Sequence, residues 1–151
     1  MKTLRSFLVA LVLLVANSGL AQKHHYFPLK DTTQTCVRLL FAGDAMQHSN
    51  QYLWAWDKGT RQYNYEPNFR YLRPHLAKAD INIVNFETTL SGKPYGGYPK
   101  FRTPDAFFED MVDAGFQVFA LANNHILDGD KRGMKRTLKT IASHPNLGAY
   151  L

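Results

Sequence analysis

Side chains that can bind a metal ion or transfer a proton are concentrated in three short segments of the sequence. Each segment follows an apolar run, and together they contain Asp44, then Asn85 and Glu87, and then Asn123, Asn124, His125 and Asp128. Carboxylates, amide oxygens and imidazoles are ligands for divalent ions such as Mn²⁺, Zn²⁺ or Fe²⁺. The same groups act as general acids and bases. These residue types predict a metal site, acid–base chemistry, or both.

The apolar runs in front of these clusters have the composition of buried strands. Residues 36–44, 79–87 and 116–123 are short and rich in Val, Ile, Leu and Phe, which is typical of strands covered on both faces. Helical spacing is predicted for 66–79, 103–115 and 130–143, and residues 145–151 are predicted to open a fourth strand. Strands alternating with helices predict an α/β fold with βαβ units and a mainly parallel sheet.

Local signals predict where two of the helices bend, begin or end. Pro74 predicts a kink or a broken first turn in the helix over 66–79. Thr103 is predicted as the N-cap of the next helix, with Pro104 at the first helical position. Gly115 is predicted to end that helix.

The three clusters are expected to meet, because ligands of an open parallel sheet bind at the carboxyl ends of its strands. Each cluster also has a purely structural interpretation. Asp44 is suited to cap a helix, Asn85 and Glu87 to bind loop backbone, and Asn123 and Asn124 to form a left-handed turn. A lone histidine is more often structural than catalytic. Ligand-type side chains follow all three predicted strands, and this coincidence favours a functional site.

Three segments, FAGDAMQH, ADINIVNFETTLSGKPYGGYPKFRTP and AGFQVFALANNHILDGDKRGMKRTL, resemble the bacterial capsule-synthesis CapA family, also called PGA_cap. The resemblance extends from about Val37 to the end of the chain. That family is associated with poly-γ-glutamate and is related to calcineurin-like metallophosphatases. The resemblance therefore implies the N-terminal half of a metallophosphatase-like fold, with a metal-dependent hydrolase-like site.

The resemblance also implies a role for each matching residue. Metal ligands would be Asp44, Asn85, Glu87 and Asn124. His125 would face the substrate as the catalytic proton donor, and Asp128 would orient its ring, since a carboxylate fixes the tautomer and direction of an imidazole. His48 is a further candidate for the substrate site, with a surface position at a helix start as the alternative.

Cations near the predicted site favour an anionic substrate. Lys93, Lys100 and Arg102 lie in the loop over 88–104 and are predicted to bind an anionic polymer such as poly-γ-glutamate. Lys131, Lys135 and Lys139 recur at helical spacing, and they form either a solvated outer face or a track for a polyanion. The rival functional hypothesis is a non-catalytic polymer-binding or export scaffold subunit. Capsule-synthesis membrane proteins are possible partners of either.

The sequence departs from the family pattern in its histidines. Relatives of this kind carry a Gly-His-x-His element in a second half, and none of the six histidines here stands in such a motif. We therefore expect residues 37–151 to form a partial domain, truncated at its C-terminus. Hydrolase activity is expected only with the missing half.

The first residues predict export. Lys2 and Arg5 precede an apolar stretch over 7–15, which is too short to span a membrane comfortably. We predict a signal peptide over 1–21, a lead-in segment over 22–36, and a secreted, periplasmic or cell-envelope location. An uncleaved membrane anchor is the alternative. Residues 22–151 keep 16 of the 18 basic residues and all 12 acids, a net charge of +4. The chain has no basic tail, RNA-binding aromatic motif or paired CxxC motif, so nucleic acid is not expected as a partner.

Overall fold

The computed structural model describes residues 36–144 and 147–150. The predicted signal peptide, and the lead-in segment apart from Cys36, lie outside the described residues. The strands are β1 Leu39–Ala45, β2 Trp56–Asp57, β3 Gln62–Tyr63, β4 Ile81–Phe86, β5 Val118–Ala120 and β6 Gly148–Tyr150. The helices are α1 Ser49–Ala55, α2 Glu66–Phe69, α3 Arg73–Leu76, α4 Asp105–Ala114 and α5 Asp130–Ala142.

Four strands form one parallel sheet in the order β1-β4-β5-β6. Strands β2 and β3 form a separate antiparallel hairpin. Helices connect successive parallel strands, as a parallel pairing requires. The α/β fold class predicted from the sequence is therefore confirmed, and so is the fourth strand.

The largest differences from the predicted elements lie between β1 and β4. The helix predicted over 66–79 is two short helices, α2 and α3, each with a proline in its first turn. Proline lacks a backbone N–H and clashes with the preceding turn, so Pro74 starts a new helix rather than kinking a longer one. Helix α1 and the β2–β3 hairpin were not predicted.

The start of α4 also differs from its prediction. Pro104 is the N-cap, with an extended backbone at φ −61° and ψ 146°. Thr103 is buried, and its hydroxyl accepts a hydrogen bond from the Gln47 amide. The predicted end of the helix is confirmed: Gly115 has φ 118° and its N–H donates to the carbonyls of Met111 and Val112. Glycine adopts this left-handed conformation without steric strain.

The hydrophobic core lies on one face of the sheet. Phe86 of β4 is 0% exposed, and its ring lies 6.2 Å from Phe107, 6.1 Å from Phe108 and 5.7 Å from Phe119 between centroids. Helices α4 and α5 supply further buried residues to this cluster, including Met111 and Ile141.

The opposite face of the sheet is more open within the described residues. Leu39 and Phe41 of β1 are 51% and 70% exposed, and neither belongs to the core cluster. Their partners across the sheet, Ile81 and Ile83, are only half-buried. In residues 36–144 and 147–150, no helix is both long enough and apolar enough to cross a membrane.

Candidate functional site

A β-bulge in β1 brings the first two clusters face to face. Ala42 pairs with Val84, but Asp44 pairs with Asn85, so Gly43 is the extra residue in the register. Side chains alternate between the two faces of a strand, and one inserted residue reverses that alternation. The bulge therefore places Asp44 on the same face as Asn85. Without it, Asp44 would face the opposite side of the sheet.

Asn85 connects the two acids of these strands. Its Nδ2 donates to Asp44 Oδ1 at 2.8 Å and to Glu87 Oε2 at 2.6 Å. Asp44 is exposed, whereas Asn85 and Glu87 are half-buried. Two carboxylates are held close together because a neutral amide lies between them, and hydrogen bonds to charged acceptors are stronger than neutral ones.

The third strand end joins this pair through Asn123. Its Nδ2 donates to Asn85 Oδ1 and to the Phe86 carbonyl, both at 3.1 Å. Its Oδ1 accepts the backbone N–H of His125 at 3.0 Å. The ends of β1, β4 and β5 are thus joined by a continuous chain of hydrogen bonds, which we call the strand-end network: Asp44, Asn85, Glu87, Asn123, His125 and Asp128.

Asp128 fixes the direction of the His125 ring. The distance from His125 Nδ1 to Asp128 Oδ2 is 2.7 Å, and the same oxygen accepts the Phe101 N–H at 2.6 Å. The Phe101 ring meets the imidazole edge-on at 4.6 Å between centroids. These contacts hold the imidazole at Nδ1 and against the Phe101 ring.

The free nitrogen of His125 lies toward the acids. Nδ1 faces a carboxylate, so it carries a proton, and Nε2 is the atom left for chemistry. Nε2 lies 3.9 Å from Glu87 Oε1, too far for a hydrogen bond. A neutral ring offers a lone pair there, and a charged ring offers a proton. The arrangement can therefore accept or donate a proton beside two carboxylates.

Comparison with known proteins identifies the family of the chain. The model of the bacterial capsule synthesis protein PGA_cap family matches residues 38–149. The chain belongs to the PGA_cap family. The matched range contains every residue of the strand-end network.

One curated relative is the capsule biosynthesis protein CapA of Bacillus anthracis. It is 25% identical to this PGA_cap chain over 136 residues, which cover 85% of the chain and 31% of the relative. The chain thus spans about a third of the length of that relative.

Not every predicted site residue of the PGA_cap chain joins the network. Among the described residues, Asn124 is exposed and its side chain forms no hydrogen bond. His48 stands at the start of α1, where its N–H donates to Gln51 Oε1 at 2.6 Å. Its ring also contacts the Phe101 ring, at 5.3 Å between centroids. His48 and His125 thus both contact the Phe101 ring, and His48 forms no hydrogen bond with the described residues of the network.

The predicted substrate-binding cations lie in the loop between β4 and α4. Lys93 and Lys100 are exposed and Arg102 is half-buried. Within the described part of the chain, none of the three pairs with an acid. The backbone of Arg102 bonds in both directions with Gly96, and this contact folds the loop back on itself.

Two residues of the site were given no specific role in the sequence analysis. Asn123 was predicted to lie in the third strand-end cluster, with a turn as its structural alternative, although two of its hydrogen bonds join that cluster to β4. Phe101 was not assigned to the site, although it contacts His125 with its ring and Asp128 with its N–H. The one sequence signal for Asn123 is that it follows a strand in the same way as Asp44 does.

The side chains of the strand-end network fit a divalent ion in donor type rather than in their present arrangement. Within the described residues, no three His, Cys, Asp or Glu side chains converge closely enough to hold one. Asp44 and Glu87 do point at one position, which Asn85 Nδ2 occupies. A half-turn of that amide exchanges its nitrogen and oxygen, turns Oδ1 toward both acids and breaks the bond from Asn123. In donor chemistry, Asp44, Asn85 and Glu87 then fit a hard or borderline ion.

Proposed function

We propose that this PGA_cap chain supplies a metal-dependent, hydrolase-like site that processes an anionic polymer of the cell envelope, such as poly-γ-glutamate. The observation that carries the proposal is the strand-end network, in which three strand ends place two carboxylates beside an oriented imidazole. Structural capping alone would not require the three clusters to bond to one another.

Asp44, Asn85 and Glu87 would hold the ion, with Asn124 as a further ligand through its free side chain. The chemistry that such an ion supplies is Lewis-acid polarisation of an ester or amide. His125 would give a proton to the leaving group from Nε2. Asp128 would keep the opposite nitrogen protonated and the ring in place. Glu87 Oε1 lies 3.9 Å from Nε2, on the side of the ring from which the proton would leave.

Unpaired cations support the choice of an anionic polymer. Lys93 and Lys100 are exposed on the loop over 88–104, which also carries Phe101 of the site. A polyanion that binds along this loop would meet two lysines that have no acidic partner among the described residues. Membership of a capsule synthesis family supports a cell-envelope location. The signal peptide over 1–21, with an uncleaved anchor as its alternative, stays a prediction.

A second candidate function rests on α5. Its residues Gly133, Thr137 and Ile141 are buried, and its residues Lys131, Arg132, Lys135 and Lys139 are exposed. Among the described residues, no acid forms an ion pair with these four cations. A helix with one basic face suits a non-catalytic scaffold subunit that binds the polymer by charge, alone or with capsule-synthesis membrane proteins.

Poly-γ-glutamate cleavage separates the two functions. We expect the protein expressed from its whole gene to shorten the polymer in Mn²⁺, as seen by size-exclusion chromatography. His125→Gln should slow this reaction about a hundredfold, because general acid catalysis contributes that much or more. His75→Gln is the matched control, since His75 is exposed on α3 and lies outside the network.

The scaffold hypothesis predicts a different pattern in the same experiment. Polymer length would not change, and binding would survive a chelator and the His125→Gln variant. Binding would then be lost on charge reversal of Lys131, Lys135 and Lys139. That combined result would overturn the hydrolase proposal.

A further inference from the structure

A large groove adjoins the strand-end network on the helix side of β1. It encloses about 810 Å³, and Asp44 lies at its lining. Its floor is apolar and consists of Phe69, Leu72, Val84, Phe107, Met111 and Phe116. This volume lies within the range of small-molecule sites, which are mostly apolar with a few polar groups.

The rim of the groove is polar but nearly uncharged. Carboxamides line it at Asn50, Gln51, Asn64 and Asn68. Among the described residues, the side chains of Asn50 and Asn68 form no hydrogen bond, so both donors and acceptors are free for a ligand. Asp44 is the one charged residue in the described lining, and no cation is present there. An anionic ligand would therefore have no charge partner in this lining.

Trp54 stands at the same rim with its ring in solvent. It is 89% exposed, more than Phe41 at 70% or Tyr71 at 77%. An exposed indole presents a broad apolar surface that can stack against a flat ligand face. It therefore supplies a stacking surface beside the free carboxamides.

We propose that this groove binds an uncharged glycosyl unit. A sugar ring combines an apolar face, which suits Trp54 and the floor, with hydroxyls that both donate to and accept from carboxamides. An anionic unit would find no cation in the described lining, and a plain hydrocarbon would leave the carboxamides unpaired. The inference goes beyond the proposed function, and the two candidate sites share only Asp44.

Tryptophan fluorescence tests the proposal directly. The sequence holds two tryptophans, so Trp56→Phe leaves Trp54 as the only indole. We expect a saturable change in its emission with a neutral oligosaccharide from a panel of N-acetylglucosamine, glucose and galactose oligomers. Asn68→Leu in this background should weaken binding about tenfold, the loss expected for one or two hydrogen bonds. Gln62→Leu, outside the groove, should leave binding unchanged.

Other outcomes would overturn the glycosyl assignment. These are no response to any neutral oligosaccharide, an equal response to hexanol or an apolar peptide, a stronger response to poly-γ-glutamate, or full binding by Asn68→Leu. The titration is run in chelator and repeated with His125→Gln. Sugar binding that persists in chelator and in His125→Gln supports the groove proposal even if the hydrolase proposal fails.

Discussion

Replacement of Phe86 by alanine is expected to lower the free energy of unfolding by about 3–5 kcal/mol, the range for buried aromatic side chains. Phe86 is fully buried, and its ring touches the rings of Phe107, Phe108 and Phe119. Alanine would leave a cavity where α4, β4 and β5 meet. Urea denaturation followed by circular dichroism measures the loss.

Phe41→Ala provides the matched control for this prediction. Phe41 lies in the neighbouring strand β1 but is 70% exposed, so its removal should cost less than about 1 kcal/mol. Phe86→Leu should fall between the two and keep the protein folded for measurement. Equal losses for Phe41→Ala and Phe86→Ala would show that the core is not on the face described.

Gly97→Ala should be nearly as damaging, with an expected loss of about 3 kcal/mol from forced overpacking. A Cβ on Gly97 would lie 2.6 Å from the Ser49 backbone nitrogen and 2.7 Å from His48 Cα. Both neighbours are backbone atoms, so neither can rotate away. The loop over 88–104 would have to separate from the start of α1. The melting temperature and the urea midpoint should both fall.

Gly43→Ala is the control for Gly97→Ala, because a Cβ on Gly43 meets no atom within 4 Å. We expect a change within about 0.5 kcal/mol, as for an unstrained surface position. A tolerated Gly97→Ala would mean that the loop does not contact α1 as closely as the structure has it.

The parallel sheet could be predicted because its strands carry their own signal. Ile81, Ile83 and Val84 are β-branched and apolar, and turn residues follow each strand. The end of α4 at Gly115 could also be predicted, because a glycine after the last helical residue is itself a local signal. By contrast, α1 was missed because SNQYLWA has no buried residue, so no apolar period marks it.

Helix starts were harder to predict because tertiary contacts override local preference. Thr103 has the chemistry of an N-cap, but its hydroxyl accepts a hydrogen bond from Gln47, which lies 56 residues earlier in the sequence. Pro104 then takes the cap position with no side-chain bond. No local sequence pattern indicates that the contact with Gln47 outweighs the N-cap preference of Thr103.

The meeting of the three clusters could be anticipated from parallel topology, but its atomic detail could not. The sequence places Asp44 at a strand end without indicating the bulge at Gly43 that turns it toward Asn85. It also does not distinguish Asn123, which bonds to Asn85, from its neighbour Asn124, whose side chain is exposed. Two adjacent residues of the same type thus differ in their contacts, which the sequence alone does not show.

Calorimetric titration with Mn²⁺ tests most directly the central claim that the strand-end network takes a divalent ion. The wild-type protein should bind one ion, and Asp44→Asn should weaken binding at least about tenfold, since it removes a charged ligand. Asp113→Asn removes an exposed acid of α4 outside the network, and its affinity should match the wild type. No binding by the wild type, or equal affinity in all three proteins, would contradict the claim.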